Sequence, residues 1–583
     1  MTKVNEPHNI PKYKRELLGS KDSITCIGNG QFGGKANGLV FIQSVILEKF
    51  DRDAFPDIQI TVPKMVVLCT DIFDEFMAAN DLYEIALSDS QDTRIAHAFQ
   101  KAHLPSEMVG DLWSMIANVH TPLAIRSSSM LEDAIYEPFA GIYATKMIAN
   151  NQLDTVSRFN KLIEAIKFVY ASTYFKKAKN YFNAVSRSIS DEKMAVIVQE
   201  VVGRRHGIRY YPNISGVARS YNYYPLGHAS PVEGIVELAL GLGRTIVDEG
   251  MSWNYSPAYP NANPPFNSIN DLMKNSQNSF WAVNMGHISD YDPVRETEYL
   301  IKSNLAEADN DGVLNLLASS YDYRSDRLYP GTYGNFPRVL TFAPILQMNE
   351  LPLNDLVVSL MQVSQQEVGT PIEMEFALSV DPENKNSVSF GFLQVRPMVV
   401  SSEEVDLFQC EMSGDNVLLA SETVMGNGVD STILDIVYVK PDQFRKESAR
   451  DIVKELEQIN SELRNAGKHY LLIGFGRWGS RDPWLGIPVE WGQISGAKVI
   501  VESTLPEINV DLSQGTHFFH NINSFQVSYF SVHHSGKYKI DWNWLSRQQI
   551  SKDKQFVRHV KLKHPICVKV DGRTSRGVIQ KWY

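Results

Sequence analysis

A chain of 583 residues with 43% apolar and 21% charged side chains is too long for one hydrophobic core, and its composition is neither fibrous nor disordered, so several globular domains are expected. Fifty-six basic against 67 acidic side chains leave a net charge of -11, which repels a phosphodiester backbone and sets general nucleic-acid binding aside. Cys26, Cys69, Cys410 and Cys567 show no CxxC spacing, the first residues lack an apolar signal core, and no run approaches the roughly 20 apolar residues of a membrane span, so a cytoplasmic protein without a membrane partner is expected.

In chain order, residues 1–22 read as a polar lead-in. The glycine-dense stretch Gly28 to Lys35 then runs into a helical apolar pattern over residues 36–50. Residues 122–126 predict a short strand ending in Arg126, with Ser127, Ser128 and Ser129 breaking it and Phe139-Ala-Gly141 forming a turn. A helix is expected over residues 162–182, and strands over 194–199, 214–218 and 234–239. Four prolines and several asparagines make residues 252–270 an expected exposed loop. Residues 371–380 and 387–395 predict two strands joined by a turn.

Residues 400–404 are the expected domain boundary, separating a module over 23–400, with a subdomain break near 190–200, from a smaller C-terminal α/β domain over 405–583. That second part opens with strands and carries an amphipathic helix over 443–466 that Gly467 would cap. The order of elements places the whole in the α+β class.

Phosphate handling needs close backbone approach and fixed positive charge, which Gly33-Gly34-Lys35 at a helix start supplies. Arg126, aimed by a strand, offers a planar fork to phosphate oxygens, although Glu132 or Asp133 could claim it as a salt bridge. In the 371–395 pair, Glu373 and Glu375 share one sheet face, as do Gln394 and Arg396. In register, two carboxylates, an amide oxygen and an arginine would then form one surface, the donor set that Mg²⁺ and nucleotide phosphates require; a solvated salt-bridge ladder would carry the same letters.

The ordered series Gly-Gly-Lys35, Ala-Ile-Arg126-Ser-Ser, Phe-Ala-Gly141, Val-Gln199-Glu200-Val-Val202, Ser215-Gly-Val, Gly241-Leu-Gly243, Glu375-Phe and Gln394-Val-Arg396-Pro resembles the N-terminal ATP-binding domain of pyruvate phosphate dikinase, phosphoenolpyruvate synthase and rifampicin phosphotransferase. The resemblance covers residues 25–400. It implies an ATP-grasp clamp of two subdomains in which Lys35 and Arg126 bind phosphates and the Gly141 loop closes over them. Gln199, Glu200 and Val202 would line the adenine, Glu375 and Gln394 would hold Mg²⁺, and Arg396 would meet the γ-phosphoryl group. ATP and Mg²⁺ are the implied cofactors, and an ATP-dependent phosphotransferase is the implied activity.

Arg244 stands where the family has a glutamate, and Lys177 where it has an arginine. The phosphohistidine segment and the pyruvate-binding barrel of those enzymes have no counterpart in the reading. The acceptor is therefore expected to be a small molecule or a histidine of this chain, with His517 beside Gly515 and Thr516 the candidate and His520 its neighbour. A nucleotide-binding regulatory module that has lost transfer is the alternative. Gly474 to Gly479, with Glu502 beyond, spells a dinucleotide fingerprint, but Pro483 and Pro488 deny it the helix it needs, so a tight turn, or an anion-binding loop with Arg477 and Arg481, is expected there.

Overall fold

The computed structural model describes residues 10–15, 23–132, 141–185, 187–223, 225, 229–247, 251–262, 269, 272–273, 276–288, 290–381, 387–398, 400, 405, 407–480, 485–506, 527–572 and 574–582. Mixed α and β elements fill it, consistent with the α+β expectation. Among the described residues no helix is long and apolar enough to cross a membrane.

The first sheet has the spatial order Ile24–Ile27, Met65–Leu68, Met194–Glu200, Leu123–Ser129, Thr145–Ile148. Its central strand is apolar on both faces because helices cover both. Val196 and Val198 pack with Phe73, Phe76 and Tyr170 on one side, and Ala195 and Ile197 pack with Ala36 and Leu39 on the other. Residues 127–129 do not break the strand as expected. The three serines continue it, buried, because Glu132 accepts from Ser127 Oγ at 2.9 Å and Ser128 Oγ donates to the Phe32 carbonyl at 2.8 Å. Arg126 is therefore a mid-strand residue. The expected single helix over 162–182 is two, Thr155–Ser172 and Lys176–Ala184, because Thr173 to Phe175 turn the chain while the apolar spacing runs on.

The second sheet runs Trp253–Tyr255, Ile235–Ala239, Ile214–Arg219, Ile372–Val380, Val388–Pro397, Ile58–Thr61. Trp253 and Tyr255 correct the expected loop at 252–270: both rings are buried beside Leu238 and Val236, so this edge strand is held by its aromatic side chains in spite of the prolines that follow. Ala218, Val236, Met374 and Val395 face the core under helix Leu353–Val368, and the opposite face carries the charges.

The C-terminal half holds a seven-stranded sheet ordered Val424–Met425, Ser528–Val532, Ala497–Ser503, Tyr470–Phe475, Asp435–Val439, Val557–Lys561, Gln549–Asp553, whose middle four strands are parallel. Helix Ala449–Asn465 is the crossover between two of them, and Gly467 ends it at φ +65°, its N–H donating to the Arg464 carbonyl at 2.8 Å. That helix covers one face, and a four-stranded sheet built from Val417–Ser421, Arg576–Gln580, Cys567–Asp571 and Gly428–Asp430 covers the other.

The two halves are packed together. One apolar cluster runs from Ile27 and Phe73 through Tyr181 to Val437, Tyr470 and Ile500. Arg464 donates to the carbonyls of Asn183 at 2.7 Å and Ala184 at 3.2 Å, and Ser575 Oγ donates to the Tyr223 carbonyl at 3.4 Å.

Candidate functional site

A cavity of about 720 Å³ opens between the first two sheets. Among its lining residues are Lys35, Arg126, Gly141, Gln199, Glu200, Val202, Glu375, Gln394 and Arg396, so every described position singled out as a site residue meets in one space. His517 and His520 lie outside the described residues, as does Arg481.

Lys35 is placed by its two glycines. A Cβ on Gly33 would sit 1.8 Å from the Ser128 carbonyl oxygen, and one on Gly34 would sit 1.7 Å from that of Glu132, so only a glycine pair lets helix Gly33–Phe41 start against the Leu123–Ser129 strand. Lys35 Nζ then reaches Glu132 Oε1 at 2.6 Å. The carboxylate offered as a partner for Arg126 belongs to the lysine instead. Ser127 Oγ and the Ser129 N–H, each at 2.9 Å, hold that carboxylate in place.

Arg126 bridges the sheets. It donates to Gln199 Oε1 at 3.2 Å within its own sheet, and to Gln394 Oε1 at 3.0 Å and the Leu393 carbonyl at 3.2 Å on the other. The amide nitrogen of Gln199 is buried with no hydrogen-bond partner, an unsatisfied donor at the cavity wall. Val202 packs over Gly391, where a Cβ would meet its Cγ2 at 2.4 Å. Glu200 accepts from Thr121 Oγ1 at 3.0 Å.

The strand pair has the register the spacing demands. Glu373 lies opposite Arg396 and Glu375 opposite Gln394, with an irregularity just after Glu375. Sequence reasoning missed the neighbours that complete this face. Arg219 lies opposite Glu373 on the other flank and Glu237 one strand further. Arg396 Nε donates to Glu373 Oε1 at 2.7 Å, Arg219 Nε donates to Glu373 Oε2 at 2.6 Å, and Arg219 also pairs with Glu237. Ser252 Oγ donates to Glu237 at 3.2 Å. The signal for Arg219 was its place at the end of a strand between two acidic ones, visible only once the pairing is known. Two arginines thus neutralise two buried carboxylates. Glu375, half-buried at the cavity, makes no hydrogen bond or ion pair among the described residues. With the Gln394 amide oxygen opposite, the donor set is oxygen only, which suits a hard divalent cation, and the surrounding guanidinium and ammonium groups suit an anion beside it.

Behind Lys35, Glu192 is buried near Ser129 and Tyr143, and burial pushes its carboxyl up to about 7, with the Glu132 charge adding to the rise. Burial likewise draws Lys146, whose ammonium donates to the Pro293 carbonyl, down to about 8. Arg244 has its guanidinium 5.3 Å from the Trp281 ring centroid, and both Arg244 and Lys177 line the cavity.

The far wall comes from the C-terminal half, as Gly479, Ser480, Pro488, Val489, Glu490, Trp491 and Gly492 line the same space. The Gly474 to Gly479 stretch does not meet a helix. It enters a two-stranded ladder, Arg477–Trp478 with Gly486–Ile487, and a Cβ on Gly474 would strike the Trp478 ring at 2.2 Å. Gly474 makes room for a buried tryptophan, and Gly476 for the backbone at Leu485.

The family model described as pyruvate phosphate dikinase, AMP/ATP-binding domain, matches residues 29–413. No curated protein matches the chain.

Proposed function

Because the chain belongs to the family of the pyruvate phosphate dikinase AMP/ATP-binding domain, we propose that it is a cytoplasmic ATP-dependent phosphotransferase with an ATP-grasp clamp formed by its first two sheets. The observation that carries the reading is Glu375, the one carboxylate of a charged sheet face left without an arginine, opposite Gln394 and beside Arg126. Buried charge is costly to hold without a partner, so a face that pairs Glu373 and Glu237 but spares Glu375 is built for something that arrives.

In this reading Glu375 and Gln394 hold Mg²⁺, which when bound neutralises phosphate oxygens. Lys35 and Arg126 bind the phosphates, and the segment at Gly141 covers them. Gln199, with its unsatisfied amide, receives the base together with Glu200 and Val202. Arg396, clamped by Glu373, faces the γ-phosphoryl group, where charge develops in transfer. The phosphoryl group passes to a small molecule or to a histidine such as His517.

The test is Mg²⁺-dependent cleavage of ATP by the full chain. Glu375→Gln is expected to lower turnover about 1,000-fold, on the order of 4 kcal/mol of transition-state stabilisation, with little change in folding stability because the glutamate has no described protein partner. Near-normal cleavage in that variant would reduce the face to a salt-bridge ladder.

A further inference from the structure

We propose that Glu132 and Glu192 work as one positioning pair behind Lys35: the pair gives up the ammonium to an incoming nucleotide phosphate and takes up one proton from water in its place. This rests on the reading of Lys35 as a phosphate ligand and deepens it, because nucleotide binding then becomes a proton-coupled event. The resting chain commits the lysine to its own carboxylate. Lys35 Nζ lies 2.6 Å from Glu132 Oε1 and 3.4 Å from Ser127 Oγ, and Glu132 is only 2% exposed. Ser127 Oγ donates to Glu132 Oε1 and the Ser129 N–H donates to Oε2, each at 2.9 Å, so the carboxylate is tied to its strand and does not follow the ammonium when it moves.

A second carboxyl group stands beside the first. Glu192 follows the short turn Ile189–Asp191 and precedes strand Met194–Glu200, whose Met194 pairs with Ser129. Its carboxyl sits against the Ser129 hydroxyl and the Tyr143 phenol. Ser129 thus joins the two acids, its N–H on Glu132 and its hydroxyl on Glu192. Glu192 is buried, and its Oε1 has no hydrogen-bond partner, so the group is poorly solvated as an anion. Tyr143 lines the cavity, which places the pair one phenol away from the nucleotide space. The charged and titratable groups that face the pair among the described residues are Lys35, Arg187, Tyr143 and Tyr174, and burial keeps both phenols protonated.

Charge counting gives the coupling. With Lys35 in place, one ammonium faces one carboxylate, and the second carboxyl keeps its proton up to about pH 7 because burial opposes its ionisation and the Glu132 charge adds to that. When a phosphate draws Lys35 away, two buried carboxylates without the ammonium do not both stay charged, and the pair holds one proton between them. Below pH 7 that proton is already present, so binding leaves the count unchanged. Above pH 7 it comes from water: an O–H bond forms on one carboxylate as the ion pair of Lys35 with Glu132 gives way to one with a phosphate oxygen. Nucleotide affinity is therefore level in weakly acidic solution and falls as pH rises past 7.

The experiment is calorimetry of a non-hydrolysable imido analogue of ATP, with excess Mg²⁺, binding to the full chain at pH 6 and pH 8 in pairs of buffers that differ in ionisation enthalpy. Glu192→Gln is the reference, since its neutral amide removes the place for the proton, leaves Glu132 held by its two donors, and cancels any protonation of the analogue itself. At pH 8 the wild type is expected to take up about one proton more than the variant, and at pH 6 about the same number. Between those two pH values the wild-type Kd is expected to rise about 10-fold relative to that of the variant. Difference infrared spectra at pH 8 follow the wild type alone, where the analogue is expected to add the carbonyl stretch of a protonated carboxyl group. A wild type whose proton count matches the variant's at both pH values, or that gains no such band, overturns the proposal. A chain that does not bind the analogue at either pH would instead bring down the reading of Lys35 as a phosphate ligand.

Discussion

The second sheet of the N-terminal half and the seven-stranded sheet of the C-terminal half are of similar size but use polar residues in opposite ways. In the first, one face is apolar and the other looks into a cavity, so polar residues recur at every second position: Glu373 and Glu375, then Gln394 and Arg396. In the second, helix Ala449–Asn465 covers one face and another sheet the other, so the parallel strands are continuous apolar runs such as Tyr470–Phe475. In the parallel strands the buried polar groups sit at or next to the strand ends, at Asp435, Glu502, Ser503 and Ser531. A sheet with an open face can hold a charged surface, whereas a sheet covered twice can contribute only rims and loops. The C-terminal half accordingly offers the cavity the loop at Gly479 and the stretch from Pro488, and no strand.

Three substitutions test that contrast, in falling order of expected effect. Trp478→Ala removes a fully buried ring whose Nε1 donates to the Val501 carbonyl at 3.1 Å, and is expected to cost about 4 kcal/mol of stability by urea unfolding. It should leave ATP cleavage per folded molecule within a few-fold of wild type, since packing is the ring's task; a large loss would mean the C-terminal sheet carries chemistry. Arg219→Met takes the arginine from Glu237, which keeps the Ser252 hydroxyl, and one of two arginines from Glu373. About 3 kcal/mol of stability should go with it, and here cleavage should fall too, because Arg396 loses the opposing charge that shares its carboxylate. Unchanged turnover would show the lattice to be structural.

The smallest effect is a pH dependence. The Glu192 carboxyl is raised from 4.5 to about 7, so the folded chain holds its proton where the unfolded chain has released it. The stability this proton brings is complete below pH 4.5 and is lost as pH rises through 7. Glu192→Gln should flatten that slope and be the more stable form above pH 7 by on the order of 2 kcal/mol, read as urea midpoints at pH 5 and pH 8. Parallel slopes in the two proteins would place the proton elsewhere.

Legibility in the sequence follows the same division. The alternation around Glu375 and Gln394 was readable because period two is a local property, and it gave the shared face, while the register that sets Glu375 opposite Gln394 came from the fold. The serines after Arg126 were misread because whether a hydroxyl breaks a strand depends on an acceptor, Glu132, that only the fold supplies. Trp253 and Tyr255 were hidden among prolines, whose turn signal outweighed two aromatic residues at strand spacing. The wall at Pro488 to Gly492 was out of reach altogether, since its partner is Asn180, some 300 residues earlier in the chain. The glycine run at Gly474 shows the converse: its letters fit a nucleotide fingerprint, and its context, a buried indole, decides against it.

The apolar cluster that runs unbroken from Phe73 to Ile500 gives the molecule no clean place to be cut. A fragment stopping where the family match stops, at residue 413, would leave Tyr181 and the inner side of its helix facing water, with the C-terminal part of a shared core removed. Such a fragment is a different object from the domain as it sits in the whole chain: its exposed flank would seek any greasy partner, and its nucleotide cleft would lack a wall. The two halves therefore constitute one cooperative unit, and the longer one is whole only in the company of the shorter.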